Sequence, residues 1–419
     1  MRNRYLDLLR AAAIARVVVY HLFGWPWLSI LLPAMGIMFA LAGSLTAASL
    51  DKRSARAVVT SRLRRLLPPL WLLGAIAVPA MLYAGWAGQE GGDHPYSWKL
   101  ALWLLPVGDP PGSTEAIDVW EPLWYIRAYL WFVLLTPLLY AAWKKASWAL
   151  VAAPIALLAV LDKTGFELPF GRADAAMWDF VTYGACWIAG FAHHDGRLHR
   201  LRGGVVYPVA IVLGGLALYW LHGHPGEGGW DLNDVPESQA LWSLAFVLVV
   251  LRWQPDMTWL SYLRPVDRTV SLLNNRAVTV YLWHNIAIAA IWPVLTLLAL
   301  DDLGGGMEGP VSLATTLALT ALAVLLFGWA EDLAAKRRPR LWPAVAGPRP
   351  PREPVAPTPD PAAAAQHPAP AAPDPTAGLP LAERTTVNLH PGPPPGRDEP
   401  RELYGEEPVV SWFGDRDRR

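Results

Sequence analysis

The sequence contains one cysteine, Cys186. A single cysteine cannot form an intrachain disulfide, and it cannot supply a zinc site built from several thiolates. We therefore expect no disulfide-stabilised domain, and we predict that the protein has no metal and no cofactor.

Charged residues are also scarce. Only 17% of the residues are Asp, Glu, Lys or Arg, whereas 53% are hydrophobic, and the chain contains 23 tryptophans. This composition excludes an ordinary soluble protein and is typical of a polytopic membrane protein. We expect an all-α membrane helical bundle with the lipid bilayer as a partner, and we expect no nucleic acid partner.

Long apolar runs predict about ten transmembrane helices, of which the fifth and eighth are short. The predicted spans are Ala11–Ile30, Leu31–Leu50, Leu67–Trp86, Leu123–Trp143, Trp148–Leu161, Met177–His193, Val205–Leu221, Gln239–Leu251, Ala277–Leu300 and Val311–Trp329. The first run is interrupted by charge and continues into a second span, so we expect no cleavable secretory signal.

Basic residues are distributed unevenly between the connections. The odd-numbered connections contain only Lys99, Lys163 and Arg172, whereas the even-numbered ones and both ends are rich in Lys and Arg. By the positive-inside rule, both termini are predicted to be cytoplasmic. We therefore expect a multi-pass protein of the cell membrane.

The first predicted span carries four ionisable residues, Asp7, Arg10, Arg16 and His21. Each one at bilayer depth costs roughly 2.5 to 3.5 kcal/mol, so we expect them to face a polar interior. Arg10 and His21 are eleven residues apart, which places them on nearly one helix face, roughly 16 Å apart. Alternatively, Arg10 reaches the headgroups and His21 is a hydrogen-bonded core histidine. Arg16 points away from this face and has no predicted role beyond pairing inside the bundle.

Four further polar residues are candidates for a site. Arg62 and Arg65 are one helical turn apart, and such a pair can bind phosphate oxygens, although it can also be a topological anchor. Arg127 is predicted to face a cavity, with a local pair to Glu121 as the alternative. His284 is predicted to lie deep in the bilayer, where it binds a substrate or joins neighbouring helices.

The last 81 residues differ from the rest of the chain, since residues 339–419 contain 20 of the 40 prolines. A segment with this composition cannot form a packed core. We predict a transmembrane domain over residues 1–338 and a disordered, Pro/Ala-rich cytoplasmic tail over residues 339–419.

Several segments together resemble the acyltransferase-3 family of integral membrane acyltransferases, which includes O-acetylases of bacterial polysaccharides. These segments are RAAAIARVVVYH, MFALAGSL, SRLRRLLPPLW, LWYIRAYLWFVLLTPLL, YLWHN and AEDLAAK, within residues 4–335. The combination of an Arg/His pair in the first span with a later Arg/Arg pair is fairly specific to the family. The resemblance implies that residues 1–338 form a transmembrane acyltransferase domain of ten or so helices.

The resemblance also implies roles for individual residues. It makes His21 the catalytic base with Arg10 as its companion, and it assigns Arg62 and Arg65 to acyl-CoA binding. Many polysaccharide acetylases have a carboxylate in the segment around Arg127, so this departure leaves the acceptor class open. We place Arg127 and His284 in substrate binding.

We therefore predict a membrane-bound enzyme that transfers an acyl group, acetyl in particular, from acyl-CoA to a hydroxyl of a carbohydrate or another envelope or secreted acceptor. The alternative is a transporter or flippase with an intramembrane polar path. Glycerolipid acyltransferases of the soluble type pair His with an Asp five residues later, but here Pro26 follows His21 and Ala289 follows His284 at that spacing. That third class is disfavoured.

Overall fold

A computed structural model of the protein describes residues 3–90, 92–300 and 306–341. Within these ranges the regular structure is helical and contains no β-strand. The predicted tail lies outside the described residues from position 342 onward. The α-helices are α1 (Arg4–Phe23), α2 (Trp27–Leu31), α3 (Ala34–Leu50), α4 (Ala55–Tyr83), α5 (Ile117–Trp120), α6 (Trp124–Ala146), α7 (Trp148–Thr164), α8 (Gly171–His194), α9 (Arg197–Arg200), α10 (Gly203–Gly223), α11 (Pro236–Arg252), α12 (Arg264–Asn275), α13 (Ala277–Ala289), α14 (Ile291–Leu297) and α15 (Glu308–Ala334).

Five helical segments in the described part of the chain are long and apolar enough to cross a membrane. A sixth is added if α13 and α14, which meet at an angle of 55°, count as one broken span. The number of ten spans therefore stays a prediction. The other long helices are shorter or more polar, since α7 and α11 have 17 residues each and α1 contains Asp7, Arg10 and Arg16. The five segments are Trp27–Leu50, Ala55–Tyr83, Thr114–Ala146, Gly203–Gly223 and Glu308–Ala334.

The boundaries of the first predicted span were wrong at its C-terminal end. Helix α1 ends at Phe23 because Gly24 adopts a left-handed conformation (φ 62°), and its N–H donates to the Tyr20 carbonyl at 2.7 Å. Glycine tolerates this conformation without a steric penalty, as at many helix C-termini. The chain re-enters a helix at α2, which belongs to the next apolar segment, Trp27–Leu50, so residues 24–30 are not part of α1.

The two ends of the bundle are distinguished by contacts of α1. At the end where α1 begins, called the proximal end below, Tyr5 donates to the Val250 carbonyl at 3.0 Å and Arg4 pairs with Asp267 at 2.8 Å. At the end where α1 finishes, called the distal end, Tyr20 donates to Asp231 at 2.5 Å. The C-termini of α3, α8 and α11 lie at the proximal end, where Gln254 bonds to His193 and His193 to Ser44.

Helices α3 and α8 cross at a contact made possible by glycine. A Cβ atom at Gly43 would lie 2.2 Å from the Trp187 carbonyl oxygen, and one at Gly190 would lie 2.2 Å from the Ala40 carbonyl oxygen. Small residues allow helix backbones to approach closely where lipid provides no hydrophobic drive between helices. Thus the small-residue sequence of α3 places this helix at the centre of the bundle.

The long connection between α4 and α6 is held by tryptophan side chains. Several indole N–H groups donate to backbone carbonyls of this segment, which gives both groups a hydrogen-bond partner. The pairs are Trp71 with Leu104, Trp86 with Asp93, Trp103 with Pro111, Trp120 with Ser113 and Trp131 with Val107, all at 2.8 to 3.0 Å.

A carboxylate anchors the same connection to α8. Asp93 pairs with Lys99 at 2.5 Å and with Arg172 of α8. Burial raises the pKa of Asp93, but hydrogen bonds and charge interactions with Lys99 and Arg172 outweigh this effect and leave the pKa below its usual value. Asp93 is therefore favoured in its ionised form, and its pair with Arg172 fixes this connection at the distal end.

The crossing of α3 and α8 yields a stability prediction. Gly43→Ala places a methyl group against the Trp187 carbonyl, and such overpacking costs about 1 to 3 kcal/mol. We expect a lower Tm for the purified variant in detergent. Gly215→Ala is the matched control, because no atom lies within 4 Å of its added Cβ, and alanine is preferred in helices by up to about 1 kcal/mol. Equal Tm values for the two variants would contradict the close crossing.

Candidate active site

Two histidines from distant parts of the sequence meet inside the bundle. Nδ1 of His21 on α1 lies 2.9 Å from Nε2 of His284 on α13. Nδ1 of His284 in turn lies 2.6 Å from the carbonyl oxygen of Tyr281. His284 is fully buried, with 0% exposure, whereas the side chain of His21 is accessible.

This arrangement assigns the tautomers of both rings. A carbonyl oxygen only accepts hydrogen bonds, so Nδ1 of His284 carries a hydrogen and its Nε2 is an acceptor when the ring is neutral. Nδ1 of His21 must then donate to His284. The neutral His21 ring is left with an unprotonated Nε2, which is the form that a general base requires.

Arg10 is buried at 3% exposure and does not contact His21. Its Nη1 donates to Oδ1 of Asn274 at 3.0 Å, and the Asn274 amide donates to the carbonyls of Asp7 and Val270 at 2.8 and 2.7 Å. Arg10 therefore points into the bundle and does not extend to a helix-end surface. Arg10 therefore joins α1 to α12 through Asn274, whose amide is held by two backbone carbonyls.

Arg62 and Arg65 lie on the buried side of α4, near the proximal end. Nη2 of Arg62 donates to the Leu45 carbonyl at 3.2 Å and to Oγ of Ser49 at 3.4 Å. The phenol of Tyr129 on α6 lies within electrostatic reach of both arginines. The two guanidinium groups are thus close together at one level of the bundle, as their spacing predicted.

A small cavity of about 20 Å³ lies between the histidine pair and the arginine pair. This is room for about one water molecule. Its wall is mainly apolar, but it includes three tyrosines on α6 and α13. The residues of the wall used below are Met38, Leu66, Tyr125, Tyr129, Val278 and Tyr281.

Helix geometry locates the cavity between the two pairs. On α3, Met38 precedes Leu45, the acceptor for Arg62, by seven residues, or about 10 Å of helix. On α13, Val278 precedes His284 by six residues, or about 9 Å. The wall also includes Leu66, directly after Arg65, and Tyr281, three residues before His284, so the cavity lies at the level between the two pairs.

The family of the chain follows from a comparison with protein-family models. The model described as an acyltransferase domain, that of the acyltransferase-3 family, matches residues 3–330. The chain belongs to the acyltransferase-3 family. No curated protein and no solved structure matches it significantly. Together with its long apolar helices, membership supports a membrane acyltransferase in general terms, and it weighs against the transporter alternative.

In this acyltransferase, Arg127 forms buried ion pairs with residues distant in the sequence. It does not line the cavity, and it pairs with neither Glu121 nor another local residue. Its Nε and Nη2 donate to Oδ2 of Asp179 on α8 at 3.0 and 2.7 Å, and its Nη1 pairs with Asp109. The side chain is 5% exposed. The two carboxylates stabilise Arg127, because a buried guanidinium is stable only when it is paired. A contact between Arg127 and a substrate stays a prediction.

Arg16, which had no predicted partner, connects α1 to the distal end. Its Nε donates to the Leu28 carbonyl of α2 at 3.1 Å, and its guanidinium lies 4.5 Å from the centre of the Tyr20 ring. Tyr20 in turn donates to Asp231. The pairing expected inside the bundle is therefore with a backbone carbonyl and an aromatic ring.

Sequence reasoning missed Asn274 and the cavity tyrosines. Asn274 lies on α12, a polar 12-residue helix that gives no transmembrane signal. Tyr125 and Tyr129 are four residues apart in LWYIRAY, and this spacing on one helix face was a signal for a shared wall. His284 was found, and it is a buried hydrogen-bond partner of His21; binding of a substrate by His284 stays a prediction.

Arg127 gives a test that separates an ion-pair role from substrate binding. Arg127→Met leaves Asp179 buried without its partner, and breaking a buried pair costs about 3 to 5 kcal/mol. Because Asp109 is 33% exposed and stays hydrated, we expect a loss of stability near the lower end of that range, which is measured as a clear fall in Tm. Arg127→Met/Asp179→Asn should recover part of the loss, since the buried charge is removed. Unchanged Tm in the single variant would favour substrate binding instead.

Proposed function

We propose that this membrane acyltransferase transfers an acyl group, acetyl in particular, from acyl-CoA to a hydroxyl of a carbohydrate or another envelope or secreted acceptor. The observation that carries the proposal is the contact between His21 and His284. It leaves an unprotonated nitrogen on an accessible imidazole in a bundle whose family performs acyl transfer.

The reaction needs one proton acceptor. Nε2 of His21 removes the proton of the acceptor hydroxyl while the hydroxyl oxygen attacks the thioester carbonyl carbon. The tetrahedral intermediate then breaks its C–S bond, and the thiolate of CoA takes the proton back from His21, giving an ester and a thiol. Positioned general bases contribute about 10²- to 10⁴-fold in rate.

His284 keeps His21 ready for this step without touching the substrate. Throughout the cycle, Nδ1 of His21 donates to Nε2 of His284, both before and after protonation of His21 at Nε2. The ring therefore needs no rotation between accepting and returning the proton. A fixed geometry of this kind lowers the reorganisation needed in the transition state.

Arg62 and Arg65 fit the phosphate groups of acyl-CoA. Both are fixed cations on one helix face at the proximal end, and guanidinium groups bind phosphate oxygens bidentately. The positive-inside rule supports a cytoplasmic position for this end, with both termini on the same side. Acyl-CoA would then enter from the cytoplasm, and its acyl group would extend toward His21.

The histidine pair gives the first functional prediction. In membranes containing the protein, we expect His21→Ala to lower the incorporation of labelled acetyl from acetyl-CoA into envelope glycans and secreted metabolites by at least about 100-fold. His284→Gln should retain far more activity than His284→Leu, because the Gln side-chain oxygen accepts from His21 and Leu does not. Wild-type rates in His21→Ala, or equal rates in the two His284 variants at equal Tm, would contradict the roles assigned.

The arginine pair gives a second prediction, with a control from the same segment. Arg65→Gln should raise the KM for acetyl-CoA by about 10- to 100-fold, the range for a lost hydrogen bond to a charged group. Arg64→Gln should leave the KM unchanged, because Arg64 is exposed on the other face of α4. Arg62→Lys should have an intermediate effect, since Lys keeps the charge but not the bidentate geometry. Equal KM values for the Arg64 and Arg65 variants would refute the phosphate role.

A further inference from the structure

The hydroxyl of Tyr125 is a buried polar group in the wall of the cavity. The residue is 4% exposed, and its oxygen has no hydrogen-bond partner among the residues that the structure describes. Its ring is fixed by Phe39 and Tyr281, each with a centroid distance of 5.0 Å. The hydroxyl is therefore held in a fixed position by the packing of its ring, although it makes no hydrogen bond to the described residues.

Several other tyrosines of the bundle donate hydrogen bonds to the protein. The hydroxyls of Tyr5, Tyr20 and Tyr140 donate to Val250, Asp231 and Asp51, respectively. Closest in setting is Tyr281, which lines the same cavity and donates to the Pro122 carbonyl. A buried hydroxyl without a partner lowers stability relative to Phe. Phe would fill the same apolar position of the wall, so the hydroxyl of Tyr125 indicates a ligand with a polar group at this level.

The donor substrate proposed above provides such a group at a suitable distance. The pantetheine arm of acyl-CoA extends roughly 16 Å between its sulfur and its first phosphate, since its main chain has about thirteen bonds of ordinary length. It contains two amides near its middle. The cavity wall reaches from Leu66, directly after Arg65 on α4, to Tyr281, three residues before His284 on α13. An arm joining the two pairs would bring an amide past Tyr125.

We propose that the hydroxyl of Tyr125 donates a hydrogen bond to an amide carbonyl of the pantetheine arm when acyl-CoA is bound. This inference rests on the proposed function, because it requires acyl-CoA to be the donor. Tyr125 is then a binding residue that recognises the arm separately from the phosphates. The apolar side chains of Met38, Leu66 and Val278 must move apart to admit the arm, which is consistent with the small size of the cavity.

The test compares Tyr125→Phe with Tyr281→Phe, which removes a hydroxyl from the same wall. For Tyr125→Phe we expect an unchanged or higher Tm in the absence of donor, because no protein contact is lost. The KM for acetyl-CoA should rise about 2- to 12-fold, the value of one ordinary hydrogen bond. Tyr281→Phe should lower the Tm, because the Pro122 carbonyl loses its donor. A fall in Tm for Tyr125→Phe, or an unchanged KM, would overturn the inference.

Two ligands separate this inference from the proposed function. Adenosine 3′,5′-bisphosphate contains phosphates but no amide, so it should inhibit the wild type and Tyr125→Phe equally, whereas Arg65→Gln should bind it more weakly. CoA should bind Tyr125→Phe more weakly than wild type. If wild type neither binds CoA nor transfers acetyl, the proposed function fails and the inference with it. If wild type does both and Tyr125→Phe binds CoA equally well, the inference alone is refuted.

Discussion

The 2.9 Å contact between His21 and His284 joins α1 to α13, and the chemistry that we propose for the site depends on it. In an apolar interior, a carboxylate could also orient an imidazole, but burying its charge would need further partners. A second neutral ring gives the same orientation without burying a charge. It also stabilises the imidazolium less than a carboxylate would. In the proposed mechanism, the proton taken by His21 is therefore held only weakly and is easily returned to the leaving thiolate.

The position of His284 depends in turn on charged groups at the proximal end. Helix α13 begins directly after Arg276, which is fully buried and pairs with Asp332 of α15 at 2.6 Å. One turn later, Thr279 donates to Glu331 of α15 at 2.8 Å. These contacts fix one end of α13 against α15, and His21 fixes the other end against α1. His284 and the wall residues Val278 and Tyr281 are thus carried by a helix that is held at both ends.

The sequence was informative wherever one residue had to satisfy a strong physical constraint. Ionisable groups in an apolar segment predicted that Arg10 faces inward, and the spacing of Arg62 and Arg65 predicted a shared face. The partners were not predictable, because they come from residues more than 100 positions away, as in Arg10 with Asn274 or His21 with His284. Hydropathy alone also placed Ala11–Ile30 in one helix, since it does not detect the left-handed Gly24 that ends α1.

The same limits explain the different outcomes for two arginines. Arg127 and Arg62 are both buried in long apolar helices, and the sequence around each gave reason to place it at a site. The structure surrounds Arg127 with two carboxylates, so its charge is neutralised and it joins α6 to α8 and to the preceding connection. Arg62 donates to a carbonyl and a hydroxyl, and it lies close to Arg65. Two cations held close together repel each other. A bound anion lowers that cost, which supports the phosphate site that we propose at the arginine pair.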